Sequence, residues 1–125
     1  TMNREKGLNM QFAISACYYS MYYALYSVLM KIGIKCEIHS CTLEFMKNLL
    51  NDAYTLEEIR AIKKAFDCRE TAKYYVDRIV SKEDEIYIME QAPLFITKSK
   101  EILNELNEKD IQQTMEELQK IIDKN

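Results

Sequence analysis

The sequence predicts an all-α fold, an antiparallel up-and-down bundle of four to five helices. Two glycines and one proline among 125 residues are too few turn residues for an all-β chain. Apolar residues recur at helical spacing along most of the chain, and no segment alternates with period two for long enough to form a convincing strand. A chain of this length is expected to form one domain, residues 1–125.

The first predicted helix is built on an uncharged stretch, residues 11–30, which holds five of the nine tyrosines. We expect it to begin between Asn3 and Met10 and to end near Lys31, with Gly33 as the C-terminal stop. The first two residues read as a cloning or processing remnant outside the fold. At helical spacing, a first apolar stripe contains Phe12, Ala16, Tyr19, Tyr23, Tyr26 and Met30. A second stripe beside it contains Ile14, Tyr18, Met21, Leu25, Val28 and Ile32.

A helix that is apolar on so much of its circumference is expected to be buried on most sides. About 20 uncharged residues also suffice to cross a bilayer. Three serines, Gln11 and five phenolic hydroxyls in this stretch would need partners in hydrocarbon, which makes a membrane span the poorer interpretation. The stretch is therefore predicted to be the central helix of a bundle, or a subunit interface, with no membrane contact.

Capping signatures place the remaining helices. Residues 41–50 form a short second helix, and the pair Thr55 and Glu58 is a capping box that opens a third helix running to about Val80. Ser81 and Asp84 repeat that signature.

The fourth helix, opened by Ser81, is predicted to turn Ile86, Met89, Ile96 and Ile102 inward. Pro93 predicts a kink or a break in it. Residues 107–125 form a last helix, whose narrow apolar stripe consists of Ile111, Met115, Leu118 and Ile122.

The net charge and the cysteine content limit the classes of function that the chain can have. A net charge of −3 gives no general basic surface for nucleic acid. Four cysteines without a C-x-x-C pair, and no signal peptide ahead of them, favour a reducing cytoplasm. Cys36, His39 and Cys41 could suggest zinc, but three ligands in a short loop lack the second pair that a closed site needs, so we expect no metal or cofactor.

The run from Ala13 to Ala24, AISACYYSMYYA, followed by Gly33 and then His39, resembles the HEPN family of small prokaryotic helical proteins. Residues 69–75, RETAKYY, are similar to the family's Arg-x-x-Ala-Asp-Tyr segment. The resemblance covers residues 12–106. It implies a helical bundle that pairs as a homodimer and is usually encoded beside a minimal nucleotidyltransferase.

Within that family some members are metal-independent ribonuclease toxins restrained by the partner, and others are proposed to bind nucleotides or to serve as scaffolds. The nuclease members carry an Arg followed one to two turns later by a His. Here Arg69 is followed by Tyr74 and Tyr75, and Lys73 replaces the family's Asp. We therefore expect a dimeric binding module in which these four residues line a cleft for nucleotide or RNA.

Two alternatives remain open for the function. One is a ribonuclease toxin that uses Arg69 with Tyr74, Tyr75 or His39, because metal-free cleavage needs a base and a cation. The other is a helical interaction protein without a ligand. Arg69 could also simply pair with Glu70 or another carboxylate.

His39, the single histidine, is placed in a connection, where a capping or packing role is the simpler interpretation.

The tyrosines of the first helix also allow two interpretations. Aromatic rings can stack nucleobases of any sequence. At helical spacing they are more typical of a core or an interface, with their hydroxyls at the rim. We assign Tyr19, Tyr23 and Tyr26 to a dimer interface.

Overall fold

A computed structural model describes the backbone of residues 2–74 and 80–124 and the side chains of residues 11–72, 80–109 and 111–124. These residues contain five helices. The helices are α1 (Met2–Lys31), α2 (His39–Leu49), α3 (Leu56–Tyr74), α4 (Lys82–Glu105) and α5 (Glu108–Lys124). The described residues include no strand, and the predicted all-α bundle is confirmed. Met2, set aside above as a remnant, is the first residue of α1.

The end of α1 is fixed by the predicted glycine. Gly33 has a φ of 90°, the left-handed region that favours glycine. Its N–H donates to the carbonyl of Met30 at 3.0 Å, and the N–H of Ile34 donates to the carbonyl of Leu29 at 2.9 Å. These two bonds form a Schellman motif, which satisfies the last carbonyls of the helix and turns the chain toward α2.

The core forms where α1 packs against α3 and α4. Every member of the second α1 stripe is buried, with at most 1% of its surface exposed. In the first stripe, Phe12, Tyr23 and Met30 are 73%, 60% and 46% exposed. We expected α1 to be buried on most sides, but only the face that carries the second stripe is buried. α3 and α4 both pack on that side of the helix.

Both predicted capping signatures are confirmed. At the start of α3, the Thr55 N–H donates to Glu58 Oε1 at 2.7 Å, and the Glu58 N–H donates to Thr55 Oγ1 at 3.2 Å. At the start of α4, the Asp84 N–H donates to Ser81 Oγ at 3.1 Å. Each side chain satisfies a helix N–H that has no partner within the helix.

Two contacts show that α3 and α4 run antiparallel. Lys64 Nζ, near the middle of α3, lies 3.0 Å from Asp84 Oδ1 at the start of α4. Tyr54, just before α3, shares a hydrogen bond of 2.7 Å with Ser99 in the second half of α4. The Tyr54 ring also stacks on Phe95 with 5.1 Å between centroids. These buried contacts of Tyr54 anchor the second half of α4 to the start of α3.

The inward face of α4 differs from the predicted one. Ile86 and Met89 were expected inside, yet they are 45% and 50% exposed. The buried residues are Glu85, Ile88, Ala92, Phe95, Ser99 and Ile102. The apolar pattern alone misplaced the face, because small and polar residues occupy part of it.

Pro93 does not break α4, which runs through it from Lys82 to Glu105, so the alternative of two helices is wrong. Pro93 lies on the exposed side, where water can satisfy the carbonyl that loses its helical partner. The third helix is described as far as Tyr74, and Val80, its predicted end, is not helical. Residues 75–79 of that prediction lie outside the described residues.

The last helix is confirmed as α5 and contacts α2. In its predicted stripe Ile111 and Leu118 are partly buried, whereas Met115 and Ile122 are 40% and 56% exposed. Met115 lies over the α1 turn, its sulfur 3.7 Å from where a Cβ on Gly33 would be. None of the helices in the described part of the chain combines the length and the apolar character that crossing a membrane requires.

Candidate functional site

Side chains from three helices meet at one place, which we call the Arg69 cluster. Its members are Tyr18, Tyr19 and Tyr22 of α1, His39 of α2, and Phe66 and Arg69 of α3. The cluster joins residues 50 positions apart in the chain, and it contains both a cation and the single histidine. It is therefore the strongest concentration of reactive and ligand-binding groups among the described residues.

His39 is held between two tyrosines of α1. The Tyr18 hydroxyl and His39 Nδ1 are 2.6 Å apart, and the hydrogen bond runs in either direction depending on the imidazole tautomer. Tyr22 stacks on the other side of the ring, with 4.0 Å between centroids and 7° between planes. Tyr18 and Tyr22 are one helical turn apart, so the straight helix fixes the position of the imidazole.

Local structure explains why His39 reaches this position. We expected it in a connection, but it is the first residue of α2, and the Schellman turn at Gly33 directs the chain there. Thr42, one turn later, donates to the carbonyl of Cys36 at 3.3 Å and lies 3.5 Å from the Tyr22 hydroxyl. The start of α2 is thereby attached to α1, and the packing role expected for His39 is confirmed.

Arg69 is nearly buried, with 9% of its surface exposed. Its Nη2 donates to the Tyr19 hydroxyl at 2.6 Å, and its Nη1 donates to Glu70 Oε1 at 3.0 Å. The guanidinium also lies over the Tyr19 ring, 4.9 Å from the centroid, and 5.6 Å from that of Tyr18. A guanidinium has five N–H donors, so two hydrogen bonds leave it able to donate to an anion.

Burial raises the pKa of the Tyr18 phenol, although the positive charge of Arg69 lowers it in part. Removing the hydroxyl from water disfavours its charged form. Tyr18 therefore remains protonated at neutral pH and does not act as a base. Its role is to hold the His39 ring through a neutral hydrogen bond.

The predicted cleft residues have different outcomes. Arg69 is at the centre of the cluster, and its predicted pairing with Glu70 is present. Lys73 and Tyr74 are in the last turn of α3, but their side chains lie outside the described residues, as does the whole of Tyr75. The part these three residues take in a cleft or in catalysis remains a prediction.

The predicted interface tyrosines divide between two environments. Tyr23 points outward and is 60% exposed, and its ring stacks against Tyr19 with 6.2 Å between centroids. Tyr26 is partly buried and stacks on Tyr22 at 6.1 Å. Tyr19 belongs both to this face and to the Arg69 cluster. The outward face of α1 is therefore continuous with the site.

Sequence reasoning considered the tyrosines of the first helix for base stacking but assigned neither Tyr18 nor Tyr22 to the site, and it missed Phe66. Tyr18 was assigned to a buried stripe, which is correct. A buried tyrosine hydroxyl needs a hydrogen-bond partner, and that requirement is a signal that could have directed attention to the single histidine. Phe66 carried no comparable signal, because an apolar residue at helical spacing is usually core.

Two thiols, those of Cys36 and Cys41, lie next to each other near His39. The Cys41 thiol is hydrogen-bonded to Cys36, which together with burial raises the pKa of Cys41. Cys36 Sγ is also 3.5 Å from the carbonyl oxygen of Ile38. Across residues 2–74 and 80–124, His, Cys, Asp and Glu side chains form no group of three that could hold a metal ion.

Comparison with known proteins gives two archaeal relatives, and no family model matches the chain. A Methanocaldococcus jannaschii protein named "Putative toxin MJ0142" is 31% identical over 94 residues, 74% of this chain and 64% of that protein. A "UPF0332 protein" of Archaeoglobus fulgidus is 28% identical over 91 residues, 72% of this chain and 73% of that protein. The chain covers less than two thirds of the first relative, and it is similar to a small protein named as a toxin.

Proposed function

We propose that this chain is a HEPN-type module of a toxin–antitoxin pair, a single cytoplasmic domain that binds RNA or a nucleotide at the Arg69 cluster. The observation that carries the proposal is the meeting of Arg69 with three tyrosines and His39 at one place, where Tyr19 and His39 are partly exposed. Arginine suits the phosphate group, and aromatic rings suit the bases. The toxin name of one archaeal relative supports the same assignment.

Homodimerisation is the second part of the proposal. Phe12, Tyr23 and Met30 form an exposed apolar row along α1, the composition expected of an interface core. Tyr19 lies beside this row and accepts a hydrogen bond from Arg69. A dimer through this face would therefore place the two Arg69 clusters near each other, where one RNA strand could contact both.

The partner proposed for this module is a minimal nucleotidyltransferase, as the family resemblance implies. Co-expression of this chain with a minimal nucleotidyltransferase, followed by size-exclusion chromatography, tests this part by itself. A stable complex of defined stoichiometry supports it. Separate elution of the two purified proteins at micromolar concentration contradicts it.

Fluorescence anisotropy with a labelled single-stranded RNA tests the binding site directly. We expect Arg69→Gln to weaken binding at least about tenfold, since a hydrogen bond to a charged group contributes about 1.5–3 kcal/mol. Arg60→Gln is the matched control, because Arg60 is an exposed arginine of the same helix and should leave binding within about twofold.

Two outcomes contradict the assignment. One is an RNA affinity that is unchanged in Arg69→Gln, and the other is an equal loss in Arg60→Gln, which would indicate general attraction to charge. Because Arg69 is nearly buried, thermal unfolding of each variant must accompany the titration. A loss of binding counts only if the variant remains folded at the assay temperature.

A second function, metal-independent RNA cleavage, is favoured by His39. In such a reaction a base removes the proton of the ribose 2′-hydroxyl, whose oxygen then attacks the neighbouring phosphorus. The bond to the 5′-oxygen of the next nucleotide breaks, and a 2′,3′-cyclic phosphate forms. His39 would serve as the base, held by Tyr18 and Tyr22, and Arg69 would stabilise the charge on the phosphate.

Incubation of the protein with RNA in EDTA tests this second function. We expect cleavage products that end in cyclic phosphate, and their loss in both Arg69→Gln and His39→Gln. Tyr75→Phe and Tyr74→Phe test the predicted alternative bases. RNA that binds in an Arg69-dependent way but remains intact would support the binding function and exclude the nuclease function.

A further inference from the structure

Two of the four cysteines lie together at the start of α2. Cys36 belongs to the connection after α1, and Cys41 is in the first turn of α2. Their thiols share a hydrogen bond, and both residues are partly exposed. Cys68, in contrast, is buried in the core. Cys36 and Cys41 are therefore a pair of adjacent thiols that a small molecule in solution can reach.

Backbone contacts hold Cys36 against the first turn of α2 independently of the thiol contact. The Cys36 thiol donates to the carbonyl of Ile38 at 3.5 Å, and the Thr42 N–H donates to the same carbonyl at 3.0 Å. The Thr42 hydroxyl donates to the carbonyl of Cys36 at 3.3 Å. Because Thr42 directly follows Cys41, these bonds bring the two ends of segment 36–41 together. A disulfide requires such an approach of the two backbones.

The segment between the two cysteines carries His39 of the Arg69 cluster. Its ring stacks on Tyr22 with 4.0 Å between centroids. Thr42, which binds the Cys36 carbonyl, also lies 3.5 Å from the Tyr22 hydroxyl. A movement of Cys36 toward α2 therefore changes the segment that holds His39 and also a contact of the ring on which His39 stacks.

We propose that Cys36 and Cys41 form a reversible disulfide bond that displaces His39 and weakens RNA binding at the Arg69 cluster. The bond brings the two sulfurs to about 2 Å, closer than a hydrogen bond between thiols allows. It also removes the S–H group that donates to the Ile38 carbonyl. The effect on RNA rests on the proposed function, whereas formation of the bond does not.

The oxidant in this reaction is a small-molecule disulfide, RSSR. The Cys36 thiolate attacks one of its sulfurs, which breaks the S–S bond, forms a mixed disulfide and releases RS⁻. Cys41 then gives up its proton, and its sulfur attacks that of Cys36. This step forms the protein disulfide and releases the second RS⁻. Both RS⁻ groups take up a proton, so the protein loses two hydrogens and the small molecule gains them.

The order of the two attacks follows from the environment of Cys41. The hydrogen bond to Cys36, together with burial, raises the pKa of the Cys41 thiol. Cys41 therefore keeps its proton at neutral pH, and only a thiolate is an effective nucleophile. We assign the first attack to Cys36 for this reason.

Peptide mapping of the whole protein tests formation of the bond. The protein is incubated with excess oxidised glutathione, and the remaining thiols are alkylated. Cleavage after Lys35 and Lys47 releases residues 36–47 as one peptide with both cysteines. We expect this peptide to be two hydrogens lighter, to resist alkylation, and to regain both thiols with dithiothreitol. A peptide that stays fully alkylated, or that stops at a glutathione adduct, overturns the proposal.

The single histidine provides an independent readout of the displacement. In untagged protein one Cε1 proton resonance belongs to His39, and the stacked Tyr22 ring shifts it. We expect this resonance to move when the disulfide forms and to return on reduction. In Cys36→Ser the same oxidant should not move it. A disulfide that leaves the resonance unchanged overturns the connection to the site.

Fluorescence anisotropy with labelled single-stranded RNA measures the effect on binding. Oxidised glutathione should weaken binding by the parent protein at least about threefold, the effect of one displaced neutral hydrogen bond. Cys36→Ser and Cys41→Ser should bind RNA as the reduced parent does and should not respond to the oxidant. Cys17→Ser removes a partly buried thiol of α1 and is the matched control, which should keep the response. A response that persists in Cys36→Ser overturns the proposal.

These readouts separate the inference from the proposed function. A reversible disulfide with a shifted His39 resonance, in a protein that binds no RNA, would contradict the proposed function and retain the disulfide. Arg69-dependent RNA binding that oxidation leaves unchanged would retain the function and overturn the inference. Melting curves show whether each serine variant is folded. Peptide mapping and the histidine resonance of the parent protein decide the question if a variant is not.

Discussion

The two apolar stripes of α1 run side by side along the helix and lie in opposite surroundings. The second stripe, which includes Leu25, is at most 1% exposed and forms the centre of the bundle. The first stripe contains Tyr23 and Met30, which are 60% and 46% exposed. The first stripe is mostly aromatic, with Phe12 and three tyrosines, whereas the second is mostly aliphatic, with four Ile, Leu or Val residues.

What separates the stripes is the direction from which α3 and α4 pack. One stripe stabilises the fold, and the other remains available to a second molecule. Exposed apolar rows of this kind are typical of interaction surfaces. The second stripe therefore stabilises the bundle, while its Tyr18 also holds His39, and the first stripe is the face that we propose for interaction with a second molecule.

The largest effect is expected from truncating matched residues on the two stripes. Leu25→Ala should lower the free energy of unfolding by about 2–5 kcal/mol, because it leaves a cavity in the core. Met30→Ala should change it by less than about 0.5 kcal/mol, since the side chain is largely in water. Urea denaturation measures both. Equal losses would show that Met30 is already buried, as in a tight dimer.

A charge on the first stripe should prevent self-association. Tyr23→Glu is expected to weaken dimerisation by at least about 2 kcal/mol, since it places a carboxylate in an apolar interface. Ile86→Glu is the control, because it adds the same charge at an exposed apolar site of α4. Sedimentation velocity measures both. A parent protein that is monomeric at micromolar concentration refutes the interface.

Removing one tyrosine hydroxyl from each stripe is expected to show the same contrast, with a smaller effect on stability. Tyr18→Phe deletes the hydrogen bond to His39 and should cost about 1 kcal/mol, because a partly buried imidazole nitrogen loses this hydrogen bond. Tyr23→Phe should cost close to nothing at an exposed position. Thermal unfolding of both variants gives the comparison. A Tyr18→Phe protein as stable as its parent would mean that the hydrogen bond is not formed in solution.

The smallest effect is a pH dependence at the alkaline end. Burial raises the pKa of Tyr54 above its ordinary value of 10, as it does for Tyr18. Above that value the unfolded chain loses the phenolic proton while the folded chain keeps it, so stability falls as pH rises. The melting temperature should therefore decrease above about pH 10.

Tyr54→Phe should make this alkaline decrease smaller, and Tyr23→Phe should not change it. Melting curves recorded from neutral to alkaline pH for the three proteins provide the comparison. An identical decrease in all three would assign the effect to other groups. The Tyr54 variant also loses its hydrogen bond to Ser99, which lowers stability at every pH and does not alter the slope.

Much of the fold follows from the sequence, because the signals are local. The Thr55 and Ser81 caps and the glycine stop at Gly33 each depend on residues within one turn, and all three are confirmed. The inner face of α4 was assigned wrongly. There Ser99 is buried through a hydrogen bond to Tyr54, a residue 45 positions away whose position the sequence does not reveal.

The candidate site was predicted only in part for the same reason. Arg69 was identified through a motif, whereas His39 was placed in a connection and given a capping or packing role as the simpler interpretation. Their connection through Tyr18 and Tyr19 exists only once α2 and α3 pack on α1. Sequence spacing describes one helix at a time, and a cluster built from three helices depends on how they pack.

Photo-crosslinking tests the central claim most directly, namely that RNA binds at the Arg69 cluster. A single-stranded RNA oligonucleotide carrying 4-thiouridine would be irradiated with the protein, and the attached peptides identified by mass spectrometry. The account predicts crosslinks to peptides containing Tyr19, Tyr23 or Phe66, lost in Arg69→Gln and retained in Arg60→Gln. Crosslinks confined to α4 or α5, or unchanged in Arg69→Gln, would contradict it.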